Sequence, residues 1–261
     1  MAQEERPLEQ VDVVYFSGSG TTRTVAQLVA EGMGCAATEH DLVRTPPQTP
    51  VELGADAAAV FAFPVFGGRL PSVAAELLRG FHGAGTPAVA VVTYGNRAYD
   101  DALLELVDLL AERGFVVRAA AAFVAQHSLF PKAAAGRPDA ADREKILDFG
   151  RACRPKLREH GAEPVQVPGN RPYMEASAAT LHPTGNARCN GCGTCARICP
   201  VGAIDPADPS ETDGTRCIAC TACVAACPQG ARGFHTPVMY PLLNVVFPLS
   251  VHERKEPEVF L

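Results

Sequence analysis

Eight of the ten cysteines in this 261-residue chain lie between Cys189 and Cys227. Cys189, Cys192, Cys195 and Cys199-Pro200 form C-x2-C-x2-C-x3-C-P, and Cys217, Cys220, Cys223 and Cys227-Pro228 repeat the pattern 28 positions later. Gly202-Ala203 and Gly230-Ala231 repeat as well, so the segment is an internal duplication. Three thiolates on one tight loop can each reach a different iron of a polynuclear centre. Paired C-x2-C also builds structural zinc sites, but the third cysteine, the trailing Cys-Pro and the duplication favour iron–sulfur chemistry. Gly191, Gly193, Ala219 and Thr221 are small enough to let backbone N–H groups approach the sulfurs, one of the interactions that tune reduction potential. The remaining cysteines, Cys35 and Cys153, fall in a strand pattern and a helix pattern and are expected to be small core residues.

The cysteine segment closely resembles bacterial ferredoxins with two 4Fe-4S clusters. That resemblance implies one cluster held by Cys189, Cys192, Cys195 and Cys227 and the other by Cys217, Cys220, Cys223 and Cys199, each fourth cysteine crossing between the halves. One residue departs from the pattern. Arg232 stands where the resemblance leads one to expect an aliphatic side chain; it is either a solvated charge or a cation near a cluster that favours the more negative reduced state.

A second chemical signal lies near the N-terminus. Ser17, Gly18, Ser19, Gly20, Thr21 and Thr22 follow an apolar strand and open a helix, so hydroxyls and backbone N–H groups converge on a helix N-terminus, where an anion is stabilised. No lysine ends the loop, which excludes a Walker A site, and Arg23 occupies the third glycine position of a dinucleotide fingerprint. The loop resembles the phosphate loop of flavodoxins, with serine for two of the threonines. That family binds FMN beyond the carboxyl ends of its strands, which brings in two further loops. Pro64, Val65, Phe66, Gly67, Gly68 and Arg69 follow the third strand, and Tyr94, Gly95, Asn96, Arg97, Tyr99 and Asp100 follow the fourth. By resemblance, Phe66 and either Tyr94 or Tyr99 flank the flavin ring, while the glycines allow backbone contact with its edge. Arg69 and Arg97 are solvated loop charges unless one lies near the ring and favours reduced flavin. No tryptophan is present. After the fifth strand, His127 is a weak candidate proton donor at the same sheet edge; its alternative is a loop histidine bonded to backbone.

These loops need a scaffold, and residues 11–160 supply the pattern of one: short β-branched or alanine-rich runs alternating with segments of helical period. Strands are expected at 11–16, 35–42, 57–63, 88–93 and 116–123, the second more polar and so suited to an edge. Helical spacing appears at Val25, Leu28, Val29 and Met33, at Val73, Leu77, Leu78 and Phe81, at Leu103, Leu106, Val107 and Leu110, and over 139–153, which Pro155 should kink or end. The expected fold is α/β: a flavodoxin-like five-stranded parallel sheet of order 2-1-3-4-5, with a C-terminal α+β ferredoxin-like domain for two 4Fe-4S clusters. The expected units are a flavodoxin-like FMN-binding domain over 8–160, a proline-rich linker over 161–183, a two-cluster ferredoxin domain over 184–233, and a tail over 234–261. The tail is apolar and is expected to pack on the flavin domain or on a dimer partner.

Composition narrows the function. A formal charge of −6 and the lack of any basic run argue against nucleic-acid binding. The longest apolar stretch, 237–249, has three prolines and falls short of the roughly 20 residues that span a bilayer. The start has no secretory-signal pattern, so the expected setting is the cytoplasm, in an anaerobic or oxygen-sparing cell. Together the motifs resemble a flavodoxin–ferredoxin fusion. The expected function is electron transfer between FMN and two 4Fe-4S clusters, coupling two-electron and one-electron steps for redox partners with a basic docking patch. The alternative is an FMN-dependent reductase of a small substrate fed by its own clusters.

Overall fold

The computed structural model describes residues 8–159, 163–176, 181–236 and 238–261. Residues 161–162 and 177–180 of the expected linker, His160 at the end of the first domain and Pro237 of the tail lie outside the described residues. In chain order the N-terminal elements are β1 (Gln10–Tyr15), α1 (Thr21–Met33), β2 (Ala36–Asp41), β3 (Val51–Leu53), β4 (Ala59–Pro64), α2 (Ala74–Leu78), β5 (Phe81–Gly83), β6 (Thr86–Tyr94), α3 (Ala102–Glu112), β7 (Phe115–Val124) and α4 (Ala140–Lys156). The C-terminal elements are β8 (Thr184–Gly185), α5 (Thr194–Arg197), α6 (Ala222–Ala225), β9 (Arg232–Gly233), α7 (Met239–Ser250) and β10 (Glu258–Phe260).

Five parallel strands lie in the order β2-β1-β4-β6-β7. The strand alternation explains the layers. Val13 and Tyr15 of β1 face a core shared with α1 and α4, whereas Val14 and Phe16 face a core shared with α2 and α3. Each central strand is thus apolar on both faces, as a parallel sheet covered by helices requires. β2 pairs with β1 alone and is half exposed, which explains its polar sequence.

Three details differ from the sequence expectation. The sheet has six strands, because β10 of the tail pairs antiparallel with β7, Val259 opposite Ala121; this covers an edge that would otherwise offer unpaired backbone groups. The helix expected through Phe81 stops at Leu78, and Phe81 instead begins β5, which pairs in parallel with β3 in a separate two-stranded sheet. α4 runs past Pro155 to Lys156, because proline in a last turn removes few helical bonds. Its start is sharp: Asp139 and Asp142 form a capping box.

The linker residues 163–176 form a strap over α3. Val165 donates to the Val117 carbonyl, the Asn170 and Met174 amides donate to the buried Asp101 carboxylate, and Arg171 pairs with Asp108. These backbone bonds, that from Met174 foremost, hold the Asp101 carboxyl below its ordinary pKa.

Candidate functional site

The phosphate-loop sequence forms the end of β1 and the first turn of α1. Gly20 takes φ +100°, a left-handed conformation that glycine adopts without strain, and turns the chain into the helix. Ser17 is buried and its hydroxyl accepts from the Arg23 amide. Thr22 and Thr93 share a hydroxyl hydrogen bond of 2.7 Å, which ties this loop to the end of β6. Arg44 stands behind the loop and donates to the carbonyls of Ser17 and Gly18; nothing in the local sequence pattern singles it out.

A cleft of about 660 Å³ opens above this loop. Gly18, Ser19, Thr21 and Thr22 form its floor, Pro64, Val65, Phe66, Gly67 and Arg69 one wall, and Tyr94 and Gly95 another. Phe66 packs edge-on against Phe16, with ring centroids 6.4 Å apart. Of the two tyrosines weighed above, Tyr94 is the one that reaches the cleft. Tyr99 lies behind it, 5.6 Å between ring centroids, with its hydroxyl donated to Glu258 of β10. Ser17, Gly20, Gly68, Asn96, Arg97, Tyr99 and Asp100 do not line the cleft. Arg97 pairs with Asp100 beside it. Asn96 is buried at φ +69° and uses its side chain on the tail, donating to the carbonyls of Val251 and Glu253.

Arg69 is neither solvated nor free to move. Its guanidinium makes two 2.8 Å bonds to Glu105 and one to the Met174 carbonyl, and it lies 4.5 Å from the centroid of Tyr173. The Leu70 amide also donates to Glu105, so the wall after β4 is pinned to α3. His127 lines the cleft, but its Nδ1 accepts from the amides of Leu129 and Phe130. Burial pushes its pKa down to about 4, so at neutral pH the ring is uncharged and a poor acid. The geometry gives it a loop-organising role.

The cysteine segment folds with the symmetry of its duplication. α5 and α6 are related by the 28-residue shift, as are the positive φ angles of Gly191 and Ala219, Gly193 and Thr221, and Gly202 and Gly230. Ala219 and Thr221 therefore adopt, without being glycine, the turn that glycine makes in the first repeat. The N–H···S bonds repeat too: Ala203 donates to Cys199 Sγ and Ala231 to Cys227 Sγ, both at 3.2 Å. Cys189, Cys192, Cys195 and Cys227 line one small cavity. Cys199, Cys217, Cys220 and Cys223 line a second. Each cavity thus brings together three cysteines of one motif and the fourth of the other, a donor set suited to a thiolate-ligated cluster.

The sequence pattern did not reveal how the two parts meet. Gly214, Thr215, Cys217, Ile218, Ala219 and Cys220 line the same cleft as the phosphate loop. A Cβ on Gly18 would fall 1.9 Å from the Cys220 carbonyl oxygen, so only glycine permits this approach. Ala222 is fully buried in the core that includes Phe16 and Tyr94. The second cysteine loop is therefore a wall of the cleft. The other cavity lies on the outside, where Cys192 is exposed.

The family of the 4Fe-4S dicluster domain matches residues 188–231. Among curated proteins none matches the chain. Among solved structures, the chain is similar to a flavodoxin from the domain Archaea, at 16% identity and TM-score 0.40 over 57% of this chain and 99% of that one. It is also similar to a flavodoxin, WrbA-like protein from Agrobacterium tumefaciens, at 17% identity and TM-score 0.42 over 58% and 99%. A third is rubredoxin oxygen:oxidoreductase from the anaerobe Desulfovibrio gigas, at 17% identity and TM-score 0.38 over 60% of this chain and 39% of that one. The N-terminal part thus has a flavodoxin-like strand order with a loop cradle at the strand ends, and residues 188–231 belong to the family of the 4Fe-4S dicluster domain.

Proposed function

We propose that this protein carries electrons between FMN and two 4Fe-4S clusters in series, and passes them to or from a redox partner at the outer cluster. FMN takes up one electron or two and each cluster takes up one, so together they convert electron pairs into single steps. The observation that carries the reading is the shared wall: the loop of Cys217 and Cys220 lines the cleft that the phosphate loop, Phe66 and Tyr94 also line. The chain itself has little else to do. The helix N-terminus and hydroxyls of Ser19, Thr21 and Thr22 would hold the phosphate, Phe66 and Tyr94 would flank the ring, and the crossed cysteine sets would hold the clusters. Glu105, the carboxylate on the cleft wall, is occupied by Arg69, and His127 is neutral. That favours a carrier over a reductase with acid–base groups of its own.

The outer cavity suggests the kind of partner. Asn190 and Gln229 line it, and beside it the exposed Arg188 and Arg197 donate to the carbonyls of Gly230 and Cys192, with Asp208 exposed next to the lining Pro209. A partner docking there meets positive charge locally, the opposite of what the net charge of −6 suggests.

The test is anaerobic stopped flow. Reconstituted protein is mixed separately with NADH, NADPH, and reduced ferredoxin or dithionite, and flavin and cluster absorbance are followed. A carrier is reduced by the low-potential donors and not at turnover rates by a nicotinamide; rapid bleaching by NADH or NADPH would replace this reading with an oxidoreductase that has its own substrate site.

A further inference from the structure

Among the described residues, Arg232 is a buried cation with no carboxylate partner. Its side chain is 5% exposed. Nη1 donates to the carbonyls of Pro209 and Ser210 at 2.7 and 3.0 Å, and Nη2 donates to the Pro183 carbonyl at 2.7 Å and to the Thr212 hydroxyl. Every one of these acceptors is neutral. Glu211 offers only its backbone carbonyl, at 3.4 Å, while its side chain lies in solvent. Nε is buried and has no partner at all among the described residues. Burying a guanidinium in this way costs several kcal/mol unless an anion compensates it.

The surroundings show where that anion belongs. Arg232 lines the outer cavity together with Cys189, Cys192, Cys195 and Cys227. The duplication provides an internal comparison. The position 28 residues earlier is Ile204, also buried, in an apolar cluster with Cys195 and Cys223. One half of the pseudo-symmetric module thus keeps an aliphatic residue where the other half has a permanent charge.

We propose that Arg232 is the counter-cation of the outer iron–sulfur cluster and raises its reduction potential. The inference rests on the iron–sulfur reading given above. Adding an electron to a thiolate-ligated cluster makes it more negative, and a fixed positive charge in a low-dielectric interior favours that state. The carbonyl fork holds the guanidinium in place, so it needs no reorganisation when the electron arrives.

The experiment is an anaerobic redox titration, monitored by electron paramagnetic resonance, of the holo-protein and its Arg232→Lys and Arg232→Gln variants. Neutral glutamine should make reduction of the outer cluster about tenfold less favourable, a drop of about 59 mV for one electron. Lysine should keep the parent potentials while losing stability, because it lacks the planar fork. If glutamine and lysine variants share the parent potentials, or lose them equally, Arg232 is only a structural staple and the proposal fails. A second measurement needs no neutral variant. Parent protein labelled with 15N in its arginine side chains should show a hyperfine coupling to a reduced cluster that disappears in Arg232→Lys; no difference between the two would overturn the proposal. Absence of any iron–sulfur signal from the reconstituted parent would instead remove the underlying reading.

Discussion

At the scale of single residues, the cleft separates groups that face a ligand from groups that hold the walls. His127 belongs to the second class, and its titration shows it. The ordinary histidine pKa is about 6.5 and burial lowers it to about 4 in the folded protein. The unfolded chain therefore binds the proton first as pH falls. The stability that this neutral ring contributes is complete above about pH 6.5 and is lost between there and about pH 4. At about 1.4 kcal/mol per unit, the loss is on the order of 3 kcal/mol. His127→Asn, whose side-chain oxygen can replace Nδ1 as acceptor for Leu129 and Phe130, should remove most of that pH dependence. Urea unfolding of parent and variant at pH 7 and pH 4.5 measures it, and parallel pH slopes would show that His127 is not the titrating group. This role was not legible in the sequence, where a histidine after a strand reads equally well as an acid. The cysteine sets were legible, because cluster ligation constrains spacing within a short segment. Tyr94 could not be separated from Tyr99 in advance, since the hydroxyl of Tyr99 is taken by Glu258, a residue 159 positions away.

At the scale of elements, the tail was the part the sequence specified least. Its apolar composition called for a covering surface but did not say which. α7 packs Tyr240, Leu243 and Phe247 onto Phe130 and Leu129, and the Tyr240 hydroxyl donates to the Leu129 carbonyl. β10 then completes the sheet beyond β7. Between them the chain is held by Asn96, which also accepts from the Lys255 amide, and by Arg254, which pairs with Asp139 and Asp142 at the start of α4. Regular strands and helices reveal themselves by period, whereas a three-residue strand held by one asparagine has no period to read. Asn96→Ala would strip two carbonyls of their donor, so unfolding free energy should fall by about 2 kcal/mol. Limited proteolysis should then cut at residues 251–257 before any site in the five parallel strands. Cleavage that begins elsewhere would show that the tail is retained by α7 and β10 alone. Deleting residues 236–261 should do more, exposing both the β7 edge and the Phe130 cluster and causing aggregation.

At the scale of the whole molecule, the two redox modules are set by a contact rather than by a tether. A flexible linker would give the cofactors only a high effective concentration for one another. Here the strap over α3 and the α7 helix bound the approach, and the Cys220 carbonyl against Gly18 completes it. On the proposed function, the electron path would run from the flavin cleft to the cavity of Cys199, Cys217, Cys220 and Cys223 and then to the outer cavity that opens past Cys192. Gly18→Ala tests this order, because its new Cβ collides with backbone that cannot rotate away. The modules must separate slightly to relieve this overlap, and because electron transfer weakens with distance, flavin-to-cluster transfer should slow severalfold. The same substitution touches the phosphate loop, so flavin occupancy should fall as well, and the rate must be read per bound flavin by flash photoreduction. The outer cluster's content and potential should stay at the parent values, since the atoms the new Cβ meets belong to Cys220 and Ala222 and not to Cys189, Cys192, Cys195 or Cys227. A parent-like transfer rate per bound flavin would mean that electrons leave the flavin by a route other than the Cys217–Cys220 wall.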